Sequence, residues 1–495
     1  MTRRSCALAL GFLTVGLVGC AKAPAAVLPP HLDPLQQLTQ DIAAATALPG
    51  VQRAAWGIVV HSIDRNERIF DLNPRTLLVP ASTAKLVGLA TAVDAVGWNF
   101  RFETTVRATA PLIDGTLDGD LLLVGSGDPS IGGRAGQALS VWVDALRALG
   151  LRRIDGRIIG DDDAVEEPRP QLAWAWDDLG YSTGVLFGAL NLAENRMTVT
   201  VNPGRSPGDG NTITVEPSAW SRPLRNRTVT GAPGSSRLLW PEQRPGEPFL
   251  TIAGSVPAGS SPAQLSVSAG NPTFWFASGL RHALLDAGIE VTGEAYDIDD
   301  VAERPEWETS TLLYTYRSPT LAEIAQPLLK DSINLYGEAA LRLNADRGAL
   351  PTNDAALEGL STRLAAWDIP PDAWQIIDGS GLSRRNAVAP ETLVAILQRM
   401  YDPSGDSPWM TGLPVAGRDG TLAGRMTGTA AQDNVRAKTG SMSNIRTLAG
   451  YVRTRDGETL AFAVMADSFE GPGSAAAEAI DRIAVRLAEF SRTPN

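Results

Sequence analysis

Lysine is scarce in this chain. Of its 495 residues only Lys22, Lys85, Lys330 and Lys438 are lysine, although lysine and arginine together number 43. Arginine therefore carries 39 of the positive charges, and each lysine marks a place where arginine was not used. Histidine is rarer still, at His31, His61 and His282, and none of the three lies in a segment with a catalytic pattern. Cysteine occurs twice, as Cys6 and Cys20, too few for a disulfide framework. The net charge of −12 offers no basic footprint, which excludes nucleic acid as the main partner. After the first twenty residues no segment is apolar enough for a membrane helix. What is present is 44% hydrophobic and 20% charged, the balance of a globular chain rather than a disordered one. Its length exceeds one ordinary core, so two or three domains are expected.

The N-terminus reads as a processing signal. Arg3 and Arg4 precede an apolar run from Ala7 to Val18 with the layout of a secretory h-region. Leu17-Val18-Gly19-Cys20 resembles a bacterial lipobox, in which Cys20 is lipidated and becomes the first residue; an ordinary signal peptide cut near Ala25 or Ala26 is the plainer alternative. Residues 1–19 are then a lipoprotein signal peptide and 20–44 an extended tether. A lipid would be the chain's sole attachment to a membrane. The expected location is the periplasm or cell envelope, and in a Gram-negative cell Ala21 after Cys20 directs it to the outer membrane.

From residue 55, "AWGIVVHSIDRNERIFDLNP" reads as a β-hairpin, and "PASTAKLVGLATAVDAVG" changes to helical period with Leu86, Leu89, Ala90 and Val93. Ser82 falls at the start of that helix. Near the other end, 447–468 reads as two strands joined at Asp456-Gly457, followed by an amphipathic helix over 473–490. The two ends thus supply matching parts of one antiparallel sheet covered by helices. Residues 318–402 are mostly helical. The middle, roughly 101–310, is rich in Gly, Pro, Ser and Thr, with a strand–loop–helix–strand unit over 119–163. Its "GSGDPS" lacks the lysine of a phosphate-binding loop and the full dinucleotide fingerprint, so it reads as a turn.

Three short motifs use or adjoin the scarce lysines. They are Ser82-Thr83-Ala84-Lys85 at a helix start, Ser332-Ile333-Asn334 two residues after Lys330, and Lys438-Thr439-Gly440 before a strand. S-x-x-K or S-x-N alone is weak; all three in this order are a strong signal. Residues i and i+3 share a helix face, so the Lys85 amine can reach the Ser82 hydroxyl. A serine nucleophile needs a base; arginine cannot deprotonate and lysine can. Lowering a lysine from about 10.4 towards 7 costs about 4–5 kcal/mol, which burial and the neighbouring Lys438 could supply. Backbone N–H groups at the helix start and at Ser441 could form an oxyanion hole. Ser332 and Asn334 could relay a proton and hold a substrate amide, and Lys438 with Thr439 could hold a carboxylate. Lys330 has no reading here beyond helix-surface charge.

The chain resembles the low-molecular-mass, class C penicillin-binding proteins, the D-alanyl-D-alanine carboxypeptidase/endopeptidase family. Besides the three motifs, "DGSGLSRRN" (378–386), "LPVAGRDGTLAGRM" (413–426), "VRAKTGSMSNIRTLAGY" (435–451), "GSGDPS" (125–130) and "WAWDDLGYSTG" (174–184) are similar to that family's signatures. The resemblance spans about 45–490. It implies an α+β penicilloyl-serine-transferase fold, an antiparallel sheet flanked by helices plus a helical subdomain. A long multi-part insertion separates S-x-x-K from S-x-N. Residues 45–100 and 311–495 would form the catalytic domain, 101–112 and 165–310 an inserted β-rich domain, and 113–164 a small nested βαβ-like domain. The resemblance implies Ser82 as acylated nucleophile and Lys85 as its base. Ser332, Asn334 and Lys438 would complete the proton network, and Thr439, Gly440 and Ser441 the substrate-binding strand. The implied substrate is the peptidoglycan stem peptide or cross-bridge; β-lactams would acylate Ser82, and neither cofactor nor metal is implied. Two other readings are a serine β-lactamase or esterase of the same fold and an inactive cell-wall-binding lipoprotein. S-x-N where those enzymes place Y-x-N, and the long insertion, count against the first. Intact Ser82, Lys85 and Lys438 count against the second.

Overall fold

The computed structural model describes residues 33–493 apart from 220, 245, 306–308 and 347. The expected signal peptide, Cys20 and the first part of the tether lie outside the described residues. The two runs near the N-terminus, Ala55–Ser62 and Glu67–Leu72, form an antiparallel hairpin. At the other end Arg436–Met442, Ile445–Arg453 and Thr459–Asp467 pair in succession, and Gly457 takes the φ of 88° that their second turn requires. Thr459–Asp467 then pairs with Ala55–Ser62. Both ends of the chain thus join one five-stranded sheet in the order 67–72, 55–62, 459–467, 445–453, 436–442.

Side-chain alternation gives that sheet two buried faces. Ile58, Val60, Phe462 and Val464 pack on one side against Ile480, Ile483 and Leu487 of the helix Gly473–Glu489. Val59, Ala449, Ala461 and Ala463 pack on the other against Leu86, Leu89, Leu341 and Leu397. Alanines on this second face let the helix Ala84–Val96 lie close, and its residues 84–92 are all buried. That helix is apolar all round because helices cover it as well as the sheet. The helices Leu321–Lys330, Asn334–Arg342, Asn353–Ala366 and Pro390–Met400 complete this layer. The expected sheet-and-helix architecture is therefore present.

The tether expected over 20–44 differs in its last part. Residues Pro34–Thr46 form a helix with Asp33 as a capping box and Pro34 at its first turn. Its Leu38 and Ile42 are buried against the Gly473–Glu489 helix, and Asp41 meets Arg486 at 2.6 Å. An apolar stripe at positions 35, 38, 42 and 45 drives the docking; the preceding Pro- and Ala-rich composition masked it.

The insertion leaves the sheet-and-helix part at Phe102 and returns at Ser318. Those two residues clasp each other, Ser318 N–H to Phe102 O at 3.0 Å and Phe102 N–H to Ser318 Oγ at 2.9 Å. Inside it, Leu121–Val124 runs parallel to Ile158–Asp161 with the helix Ser140–Ala148 between them. Thr311–Arg317, grouped above with the catalytic part, pairs antiparallel with Glu103–Ala108 in the insertion's five-stranded sheet. A returning strand has no local sequence signal for which sheet it joins; its partner lies two hundred residues upstream. Two three-stranded sheets, built from residues 196–268, lie beyond. Val165, Val185 and Phe187 turn back onto the core under the first sheet, so the segment from 163 to 192 links the two parts.

The docking of the first helix is testable. Ile42→Ala is expected to destabilise the chain by about 2–5 kcal/mol in chemical denaturation. An unchanged midpoint would mean that the helix does not dock.

Candidate active site

Ser82 stands in a one-turn 3-10 helix, Ala81–Thr83, that runs directly into Ala84–Val96. Ala81 is forced to φ 46°. Such left-handed strain in an alanine costs about 1–2 kcal/mol. Pro80 O fixes the turn by accepting from Thr83 N–H at 3.2 Å, Thr83 Oγ1 at 2.7 Å and Thr447 Oγ1 at 2.8 Å. One turn on, the Lys85 side chain is 1% exposed. Its Nζ lies 3.0 Å from Ser82 Oγ and 2.8 Å from Asn334 Oδ1, and also donates to Ser380 O. S-x-x-K and S-x-N are thus joined through one amine. Ser380 belongs to the "DGSG" segment, whose Gly381 takes φ 82°; a β-carbon there would sit 2.1 Å from Ala81 O.

Ser332 lies not on a helix, as its sequence context suggested, but in the turn between Leu321–Lys330 and Asn334–Arg342, at φ 61°. This turn aims Ser332 Oγ at Lys438 Nζ, 2.7 Å away. Asn334 Nδ2 donates to Thr183 O of the insertion at 2.7 Å. Lys438, Thr439, Gly440 and Ser441 lie on the edge strand Arg436–Met442. Ala437 N–H points off the sheet to Pro414 O, so the alternate amides of Thr439 and Ser441 also face outward, towards the cleft. Gly440 is required by space: a β-carbon would sit 2.1 Å from Thr447 Oγ1 and 2.6 Å from Pro80 O. That absence of a side chain brings the edge strand against the Ser82 turn. The structure therefore gathers all eight expected residues of the chain's interior, Ser82, Lys85, Ser332, Asn334, Lys438, Thr439, Gly440 and Ser441.

A cleft of about 560 Å³ opens over them, lined by Ser82, Ser332, Asn334, Thr439 and Ser441 together with Arg446. Beneath it the charges are buried. Burial lowers Lys85 to about 7 against the opposing pull of the Asp378 and Glu338 carboxylates. Burial, then the charge of Lys85, holds Lys438 well below its ordinary value. Of the two causes expected from the sequence, burial and the neighbouring Lys438, burial is the one that lowers Lys85. Glu338 is itself raised to about 7 by burial beside Asp378. Asp378 is held by Gly381 N–H, Ser383 N–H, Asn386 and the Trp174 indole of the insertion.

Four contributors were not singled out in the sequence: Ser380, Asp378, Glu338 and Thr421. Thr421 Oγ1 accepts a hydrogen bond from the Thr439 hydroxyl at 2.7 Å. Three of them lie in or beside the "DGSG" and "RDGT" segments, whose signal was recognised without a role for any residue. Lys330 is not a surface charge; it is largely buried and donates at 2.7 Å to both Leu413 O and Asp419 Oδ1. Among the described residues one acidic group able to hold a metal ion, Asp162, Glu167 and Asp299, lies in the insertion and shares no residue with the cleft.

A serine hydroxyl in contact with a buried lysine that burial brings to about 7, beside an edge strand with outward amides, has the geometry an acyl-transfer nucleophile needs. The family model described as D-Ala-D-Ala carboxypeptidase 3 (S13) matches residues 38–489, and the chain belongs to that family. A D-alanyl-D-alanine carboxypeptidase of Actinomadura sp. (strain R39) is 32% identical over 470 residues, covering 92% of this chain and 85% of that protein. The carboxypeptidase DacB of Haemophilus influenzae is 26% identical over 410 residues, 82% and 84% of the two chains. The crystal structure of penicillin binding protein 4 (dacB) from Haemophilus influenzae superposes with a TM-score of 0.78 at 24% identity, covering 92% of this chain and 99% of that one, which shows the shared fold. The chain is a serine D,D-peptidase of peptidoglycan.

Because Lys85 is buried neutral but solvated and charged when unfolded, the unfolded chain binds the extra proton between about 7 and 10.5. That group's contribution to stability rises with pH across this window. The difference in melting temperature, Lys85→Met minus wild type, should therefore shrink as pH climbs from 7 to 9.5. A pH-independent difference would mean that Lys85 stays protonated.

Proposed function

We propose that Ser82 is the nucleophile of this D,D-peptidase and Lys85 the base that activates it. The single observation that carries the reading is the Lys85 Nζ–Ser82 Oγ contact of 3.0 Å, made by an amine that burial brings to about 7. The neutral amine takes the Ser82 proton as Oγ attacks the carbonyl between D-Ala and the residue that leaves. The backbone N–H groups of Ser82 and Ser441 stabilise the oxyanion. The bond to the leaving amine then breaks, and the proton reaches that amine by way of Ser332, whose Oγ is held by Lys438. Asn334 holds both Lys85 and the substrate's amide. Water then hydrolyses the acyl-serine, with Lys85 again the base, and frees Ser82.

The substrate peptide lies along the outward amides of the edge strand, and its terminal carboxylate rests on the hydroxyls of Thr439 and Ser441. β-Lactams enter as mimics of the same acyl group. The enzyme belongs to the cell envelope. We further propose that Cys20 carries a lipid which tethers it there; no helix among the described residues is long and apolar enough to cross a membrane.

A fluorescent penicillin should label the mature protein covalently, and Ser82→Ala should abolish the labelling. Persistent labelling of Ser82→Ala would remove Ser82 from the mechanism. Lys85→Arg should also lose acylation, by at least about a hundredfold, since it keeps the charge and loses the base. Acylation surviving in Lys85→Arg would refute the role of Lys85.

A further inference from the structure

Lys330 is the one interior lysine outside the three motifs, and its surroundings give it a task. It ends the helix Leu321–Lys330, two residues before Ser332. Its Nζ donates at 2.7 Å to Leu413 O and at 2.7 Å to Asp419 Oδ1, and Asp419 Oδ1 also accepts Val415 N–H at 2.8 Å. One ammonium thus closes both ends of the 413–419 loop. The loop's continuation presses on the same helix end. Gly420 takes φ 55°, and a β-carbon there would sit 2.5 Å from Lys330 O. The next residue, Thr421, meets Thr439 hydroxyl to hydroxyl at 2.7 Å and lines the cleft.

We propose that Lys330 and Asp419 are positioning residues that hold Thr421 as the partner hydroxyl of the carboxylate clamp. The inference rests on the reading of Thr439 and Ser441 as the seat of the substrate carboxylate. The Thr439 hydroxyl donates to Thr421. A hydroxyl is one donor and two acceptors, and its proton rotates to suit. When a carboxylate arrives, Thr439 must turn its proton to that anion. Thr421 then donates to Thr439 and satisfies the lone pair left behind. Such a reversal needs Thr421 Oγ1 held at hydrogen-bond distance, and the Lys330–Asp419 knot fixes the loop that carries it. The same lysine precedes the Ser332 turn, so a single side chain sets the spacing between the proton relay and the carboxylate seat. An ammonium suits this place because its donors can diverge from one point to a carbonyl and a carboxylate, whereas a planar guanidinium favours pairing with a carboxylate edge-on through two parallel donors.

The test uses two thiolester substrates with the same acyl group, one ending in a free carboxylate and one in the corresponding amide. For each the ratio of kcat/KM, carboxylate over amide, is measured on the full mature enzyme. The wild type is expected to prefer the carboxylate. Lys330→Met is expected to lower that ratio about tenfold, the scale of one hydrogen bond to a charged group. Asp419→Asn and Thr421→Val, which carry the test if Lys330→Met does not fold, are expected to do the same. Lys330→Met combined with Thr421→Val should lose no more than either change alone. A ratio that stays at the wild-type value in the folded variants, with both substrates falling together, would overturn the proposal and leave Lys330 a purely structural residue. Failure of the underlying reading looks different: the wild type itself would show no preference for the carboxylate.

Discussion

Everything in the active site hangs on where the Lys85 amine is placed. It is buried, and it meets a hydroxyl, an amide oxygen and a backbone carbonyl from three separate stretches of chain. None of the three is an anion, so no charge in direct contact holds the proton on the amine. Burial then decides, and it favours the neutral form. Two carboxylates, Asp378 and Glu338, oppose this without outweighing burial. Asp378 spends its lone pairs on backbone amides, Asn386 and the Trp174 indole. Glu338 is pushed towards protonation. The insertion takes part in this balance, since Trp174 and Thr183 both come from it.

The remaining architecture brings three chain segments within reach of that amine. Glycine does much of it by leaving space. Gly440 lets the edge strand touch the Ser82 turn. Gly337 and Gly379 let the S-x-N helix and the "DGSG" segment meet, since a β-carbon on Gly379 would sit 2.1 Å from Gly337 O. The strain at Ala81 and Ser332 is the counterpart, stored at the two serines' turns and borne by the packed sheet and helices around them.

Much of this was legible in the chain itself. The hairpins at 55–72 and 445–467 announced themselves through β-branched runs and a turn glycine, and the three motifs named the central residues. Lysine scarcity sharpened the reading, because in a chain that favours arginine the three interior lysines all sit at buried or half-buried contacts between distant segments. What stayed hidden was non-local. Nothing near 311–317 says that its partner is 103–108, and a Pro- and Ala-rich lead concealed the apolar stripe of 34–46. Ser332 was read as helical because the residues on both sides are; the turn between them follows from its need to face Lys438. Lys330 and Thr421 acquire roles only through contacts with segments about ninety and eighteen residues away in sequence.

The same scarcity offers a direct look at the central amine. With four lysines in the sequence, the protein labelled with carbon-13 at lysine Cε gives few side-chain resonances to follow with pH. The signal lost in Lys85→Met identifies Lys85. It is expected to titrate near 7. Titration near 10.4, the value of an ordinary lysine, would contradict the account, because the amine beside Ser82 would then be an ammonium at neutral pH and no base.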